Sequence, residues 1–112
     1  MFSTRLTEDY RLEYPFVGAG MGFIALPELV AAVSNAGGLG LLGVGPAPPP
    51  VMQQMIQKIK QLTKQPFGVD LIHENTAFGP TTTDDHIDAC IAEGVKLAVF
   101  FWNLPPKTWV QR

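Results

Sequence analysis

The stretch that decides the fold is Pro27-Glu28-Leu29-Val30-Ala31-Ala32-Val33-Ser34-Asn35-Ala36-Gly37-Gly38-Leu39-Gly40-Leu41-Leu42-Gly43-Val44. Pro27 suits a first helical position, where its missing N–H costs nothing, and Glu28 beside it is favoured by the helix dipole. Leu29, Val30, Val33 and Ala36 follow at helical spacing. Gly37 and Gly38 supply the stop. Leu39 to Val44 is then an apolar run without alternation, as a parallel strand covered on both faces requires. Helix, glycine stop and buried strand together make one αβ step of a parallel α/β protein.

The same step repeats on either side. Upstream, Tyr14 to Ala19 reads as a buried strand ending in the glycine cluster Gly18, Gly20 and Gly22. Downstream, prolines at 46, 48, 49 and 50 close the second strand. A helix from about Val51 to Lys64 puts Met52, Met55, Ile56, Ile59 and Leu62 on one stripe, with Gln53, Gln57, Lys60, Gln61 and Lys64 largely opposite. Phe67 to Ile72 is a third strand with one polar residue, Asp70, and His73 to Thr82 a polar loop. Thr83 caps a helix that carries Asp84 and Asp85 in its first turn, turns Ile87, Cys90 and Ile91 inward, and stops at Gly94. Val95 to Trp102 is the fourth strand, followed by Asn103 to Pro106 and a short tail. The order βαβαβαβ fits an open doubly wound sheet or half of a (β/α)8 barrel, and periodicity does not separate them.

Composition narrows the function. The 112 residues carry a net charge of −2, and their eight basic side chains are scattered, so a phosphate-binding nucleic-acid surface is excluded. A single cysteine, Cys90, allows no intrachain disulfide, and no Cys/His spacing suits a structural zinc site. No apolar run approaches the ~20 residues of a membrane span, and the N-terminus lacks the apolar stretch of a signal peptide, so a cytoplasmic location is expected. From Tyr14 to Gln57 the only charged side chain is Glu28. A small domain normally keeps a polar face on each element, so this stretch is expected to pack inside something larger or against a partner.

Several residues are candidates for chemistry. Gly38-Leu39-Gly40-Leu41-Leu42-Gly43 matches G-x-G-x-x-G, but it runs from a helix end into a strand, the reverse of a dinucleotide fingerprint, and reads as a stop with close helix–strand packing. Gly18-Ala19-Gly20-Met21-Gly22 lies at the carboxyl end of a strand, where ligands bind in either architecture; it is a ligand cradle or a tight turn. Asp70 interrupts an apolar strand near its end, as a site carboxylate or a surface Asp. His73 and Glu74 fall in a loop where a histidine is most simply solvated. His86, with Asp84 and Asp85, reads as part of a helix cap and solvated face. Cys90 reads as a small buried hydrophobe. Phe100, Phe101 and Trp102 end the fourth strand, where large aromatic side chains either plug a barrel end or wall a ligand; Phe100 is expected to pack, and Trp102 to take either role.

Tyr14-Pro15-Phe16-Val17, Ala19-Gly20-Met21-Gly22, Ala31-Ala32-Val33-Ser34-Asn35-Ala36-Gly37-Gly38-Leu39-Gly40 and Lys64-Gln65-Pro66-Phe67-Gly68-Val69-Asp70, in that order, resemble the start of the nitronate monooxygenase family, formerly 2-nitropropane dioxygenases. Asp85-His86-Ile87-Asp88, Glu93-Gly94-Val95 and Phe100-Phe101-Trp102 continue the likeness. The resemblance implies a (β/α)8 TIM barrel that holds FMN at the carboxyl ends of its strands and oxidises alkyl nitronates with O2. It implies cofactor contacts at Ala19, Gly20, Met21 and Asp70, with residues 1–13 as a lead segment and 14–112 as the N-terminal half of the barrel domain. Two positions depart from the family pattern: Gly20 stands where proline is usual, loosening the backbone, and Asp70 where asparagine is usual, exchanging a donor-acceptor for an anion that repels phosphate unless protonated. The family's catalytic histidine sits on a Gly-Gly-His segment that neither His73 nor His86 matches, so no catalytic residue is assigned. The flavin-dependent enoyl-acyl-carrier-protein reductase of the same group, and a non-catalytic half-barrel that dimerises, are the alternatives.

Overall fold

The computed structural model describes residues 2–112; Met1 of the lead segment lies outside the described residues. Four strands, β1 (Val17–Gly18), β2 (Leu39–Gly43), β3 (Phe67–His73) and β6 (Ala98–Trp102), form one parallel sheet in the order β1-β2-β3-β6. The crossovers between them hold α2 (Pro27–Asn35), α3 (Pro49–Leu62) and α4 (Asp84–Ala92). A two-stranded hairpin, β4 (Asn75–Thr76) and β5 (Gly79–Pro80), rises from the loop after β3. Short helices α1 (Arg5–Tyr10) and α5 (Lys107–Val110) lie at the two ends.

The side-chain alternation of the strands fixes the architecture. Leu42, Val44, Val69 and Leu71 point to one face and are buried there with Val30 of α2, Met52, Ile56 and Ile59 of α3, and Ile87 and Cys90 of α4. All three crossover helices therefore cover the same face. A doubly wound sheet places helices on both faces and reverses its strand order at a switch point; here the order runs straight through. The sheet is the first half of a (β/α)8 barrel. Burying each of these side chains contributes roughly 1.5–3 kcal/mol, which makes this cluster the main source of stability.

Helix α2 sits unusually close to β2. A Cβ on Gly40 would stand 2.3 Å from the carbonyl oxygen of Val30, and the Gly40 N–H donates to the buried Ser34 hydroxyl at 3.1 Å. The glycines at 38 to 43 thus serve close packing, as their reversed order predicts. Gly37 takes φ +98° beyond the end of α2 and Gly94 φ +71° beyond α4, the left-handed conformations their stop roles need.

Some elements differ from expectation. Helix α1 has no counterpart in the expected order; its signature is the reciprocal cap in which the Thr4 hydroxyl accepts from Thr7 N–H and the Thr7 hydroxyl accepts from Thr4 N–H, at 3.2 and 2.8 Å. Strand β1 is shorter than Tyr14–Ala19, because Glu13 and Tyr14 donate their N–H groups to the Gly37 carbonyl rather than to a strand partner. Helix α3 starts earlier than Val51, since Pro49 and Pro50 occupy positions that need no donor. Strand β6 starts at Ala98 rather than Val95. Leu29, Leu62 and Ile91, expected to face inward, are exposed, as are Phe16, Phe23 and Ile24. The charge-poor first half is therefore divided: β2 is wholly buried, whereas the β1 edge and the outer flank of α2 present apolar side chains to solvent.

Substituting Gly40→Ala forces α2 and β2 apart and is expected to cost about 2–3 kcal/mol. Urea denaturation should show a lower midpoint with an unchanged slope; an unshifted midpoint would mean that the two elements are not in this contact.

Candidate functional site

Strands β1, β2, β3 and β6 all bring their carboxyl ends to one rim, and the face opposite the helices carries Gly43, Asp70, Ile72 and Phe101 by the two-residue alternation. A cleft of about 180 Å³ lies there, lined by Gly20, Gly22, Gly43, Gly45, Asp70, Ile72 and Phe101. The segment after β1 folds across the top of β2. A Cβ on Gly43 would stand 2.3 Å from the Met21 carbonyl oxygen, and a Cβ on Gly20 would stand 2.3 Å from the side-chain Cβ of Asp70. Only glycine at both positions lets the chain cross the sheet at this height.

Asp70 is the single titratable side chain lining the cleft. Its Oδ1 is buried and has no hydrogen-bond partner. Burial pushes its carboxyl above the usual carboxylate range, because nothing nearby compensates the charge. Such a group is costly unless a ligand supplies its partner. A Cβ added at Gly22 would meet nothing within 4 Å, and one at Gly45 would meet only the Gly22 Cα at 4.0 Å. Open backbone on one side and an unpartnered acceptor on the other fit one edge of a flat heteroaromatic group.

The four expected cofactor contacts are thus only partly gathered. Gly20 and Asp70 adjoin in the cleft, whereas Ala19 and Met21 line a neighbouring apolar hollow with Phe16 and Leu29. Phe101, one of the three aromatics that end the fourth strand, and Gly43, the last glycine of the G-x-G-x-x-G match, also line the cleft, and Ile72 and Gly45 join it without having stood out in the sequence. Apolar strand residues look alike until pairing shows which face they share, and this is what hid Ile72.

His86 does not lie on the solvated face expected for it. It is 3% exposed; its Nδ1 accepts from the Thr83 N–H at 3.1 Å, and its Nε2 meets the Ala47 carbonyl at 2.9 Å. It is a cap that also ties the loop after β2 to α4. His73 is half-buried between Phe100 and Trp109, with ring centroids 6.4 and 5.1 Å away. Phe100 stacks on Trp109 at 5.8 Å, a packing role as expected. Trp102, at φ +79°, is exposed beside Phe101. Cys90 is buried and its thiol is pushed up to about 11 by desolvation, which leaves no nucleophilic thiolate near neutrality.

A parallel half-barrel with its crossover helices on one face and a glycine-walled cleft at its strand ends places the chain in the (β/α)8-barrel class. The chain belongs to the nitronate monooxygenase family, whose pattern it matches over residues 3–110. It is 46% identical over 70 residues to a probable nitronate monooxygenase of Staphylococcus haemolyticus, covering 62% of this chain and 20% of that protein. It is 38% identical over 104 residues to an indene-carboxyl-CoA dehydrogenase of Mycobacterium tuberculosis, covering 93% of this chain and 27% of that one. Among solved structures, a FabK variant from Thermotoga maritima superposes with a TM-score of 0.84 at 33% identity over 99% of this chain and 36% of that one. A nitroalkane oxidase from Streptomyces ansochromogenes gives a TM-score of 0.84 at 25% identity, covering 95% and 38%. The chain spans between about a fifth and two fifths of the length of these relatives.

Two substitutions check the site's energetics. A carboxyl held up in the folded state binds its proton more tightly folded than unfolded, so its contribution is present at low pH and lost as pH rises through the folded value. Asp70→Asn is therefore expected to melt a few degrees higher than the parent at pH 7, by about 1 kcal/mol, with the gain vanishing below the ordinary carboxylate range; equal melting shifts at pH 7 and at about pH 3 would sink this. His86→Ala loses the cap and the link to Ala47 and should cost about 2 kcal/mol in denaturant unfolding. A near-neutral result would return His86 to a solvated role.

Proposed function

We propose that residues 14–112 are the N-terminal half of an FMN-binding barrel domain, and that the protein carrying them oxidises alkyl nitronates with O2. The observation that carries this reading is the unpartnered Asp70 oxygen in a glycine-walled cleft at the strand ends. Membership of the nitronate monooxygenase family and the redox names of its relatives support it. Bound FMN would supply the two-electron oxidation and the reaction with O2 that yields a carbonyl compound and nitrite. The chain's own residues would do the positioning. Gly22 and Gly45 leave the backbone open to a flat ring, Gly20 and Gly43 let the chain cross the sheet beside it, Asp70 offers the ring edge a hydrogen-bond partner, and Ile72 and Phe101 keep water from one side. Ala19 and Met21 would flank the ring from the adjoining hollow. Asp70 also sets a condition: as an anion it repels phosphate, so the ring end rather than the phosphate end belongs beside it.

Among the described residues no helix is long and apolar enough to cross a membrane. The lone, buried Cys90 suits a reducing compartment, and on that we assign the protein to the cytoplasm. An alkyl nitronate and O2 are its small-molecule partners in this reading, with a second copy as a candidate cover for the apolar β1 edge. A second reading is flavin-dependent reduction of an enoyl thioester. The identity to FabK is higher than to the nitroalkane oxidase, and an enoyl reductase domain of the macrolactin cluster superposes with a TM-score of 0.72 at 26% identity.

One assay separates the two. The protein that carries this chain, saturated with FMN, is expected to consume O2 and release nitrite from propyl-2-nitronate with no pyridine nucleotide present. Oxidation of NADH or NADPH by an enoyl thioester, without nitrite from the nitronate, would replace the first reading by the second.

A further inference from the structure

The surroundings of Asp70 favour one of its two protonation states. A carboxylate spreads its charge over both oxygens and, when buried, draws a donor to each, yet Oδ1 of Asp70 is buried with no hydrogen-bond partner. The register sets Gly43 of β2 and Val99 of β6 on either side of it, and neither offers a side-chain donor. Gly20 lies against it, so near that a Cβ there would come within 2.7 Å of Oδ2. Residues 19–25, β2 and β6, the segments packed around Asp70, contain no charged residue, and among the described residues lining the cleft no other one titrates. No cation of these elements faces the carboxyl, and burial pushes it above its usual range.

A flat neutral ligand seated in the cleft covers Asp70 further. Covering the carboxylate costs more than covering the acid, because the ion gives up a much stronger hydration. The acid form also answers the geometry. It keeps one O–H to donate into the cleft, and its second oxygen becomes a neutral acceptor, which is cheaper to leave unpaired than part of an anion. A ring edge with an unprotonated nitrogen or a carbonyl oxygen completes that donor, whereas an edge with only N–H groups does not.

We infer that Asp70 holds the ring as the neutral acid, donating its hydrogen to an acceptor on the ring edge, so that the cleft takes up a proton together with its ligand. The inference rests on the reading that a flavin ring enters the Asp70 cleft, and it adds how pH regulates that site. Because the acid is the binding form, affinity is highest at low pH and falls as pH rises above the free carboxyl's value.

The test uses the full protein that carries this chain, freed of bound flavin, and lumiflavin, whose ring has no phosphate to titrate; binding is read from the change in flavin fluorescence. Between about pH 5 and about pH 8 the parent's affinity should fall by up to about 10-fold per pH unit, the slope that one linked proton gives. Near neutrality in weak buffer, binding should take up as much as about one proton per ring. Asp70→Asn, whose amide donates without titrating, should bind with an affinity independent of pH, take up no proton, and exceed the parent about 10-fold or more at about pH 8. Asp70→Ala should be equally flat but weaker than Asp70→Asn, since it has no donor. Parent affinity that is flat or rises with pH, or a pH dependence that survives in Asp70→Asn, overturns the inference and leaves the flavin reading standing. Lumiflavin bound by neither the parent nor Asp70→Asn at any pH removes the flavin reading and the inference with it. Proton-linked binding in a protein that releases no nitrite keeps the inference while the proposed reaction falls.

Discussion

The contact between α2 and β2 at Gly40, where the Val30 carbonyl takes the space of a side chain, sets the geometry of the whole sheet. It fixes the distance at which the first crossover helix lies on the sheet. The same face then receives α3 and α4, whose Met52, Ile56, Ile59, Ile87 and Cys90 meet Leu42, Val44, Val69 and Leu71. With the three crossover helices on that side, the other face of the sheet is left for the barrel interior, and the only polar side chain that β3 turns toward it is Asp70.

Asp70 is also where stability and function pull in opposite directions. A buried carboxyl oxygen without a partner weakens the free protein, and the surrounding glycines add no side chain that would compensate. A fold built only for stability would place asparagine or an apolar residue there. Retaining an acid at the mouth of the cleft makes sense when the missing partner arrives with a ligand.

Much of the fold was legible because local rules and tertiary packing agree. Pro27, the 3.6-residue stripe of α3, Thr83 before Asp84 and Asp85, and the stops at Gly37 and Gly94 each have one physical use, and each is found in that use. His86 shows where local reading fails. Its neighbours Asp84 and Asp85 are exposed acids, so the sequence around it looks solvated, yet its ring turns inward to the Ala47 carbonyl, a partner 39 residues away. The hairpin after β3 was hidden for a similar reason: its strands are two residues each, too short for any alternation to show.

The order of strands and helices, the parallel pairing and the glycine positions at which backbones meet were determined by the sequence alone, since they depend on periodicity, capping and the absence of a Cβ. Whether those strands curl into half a barrel or spread into a doubly wound sheet was decided only by the tertiary structure, because it depends on which face each helix covers. The cleft is of the same kind. Gly20 and Asp70 are 50 positions apart, and only the chain's passage over Gly43 brings the open backbone and the unpartnered carboxyl into one place.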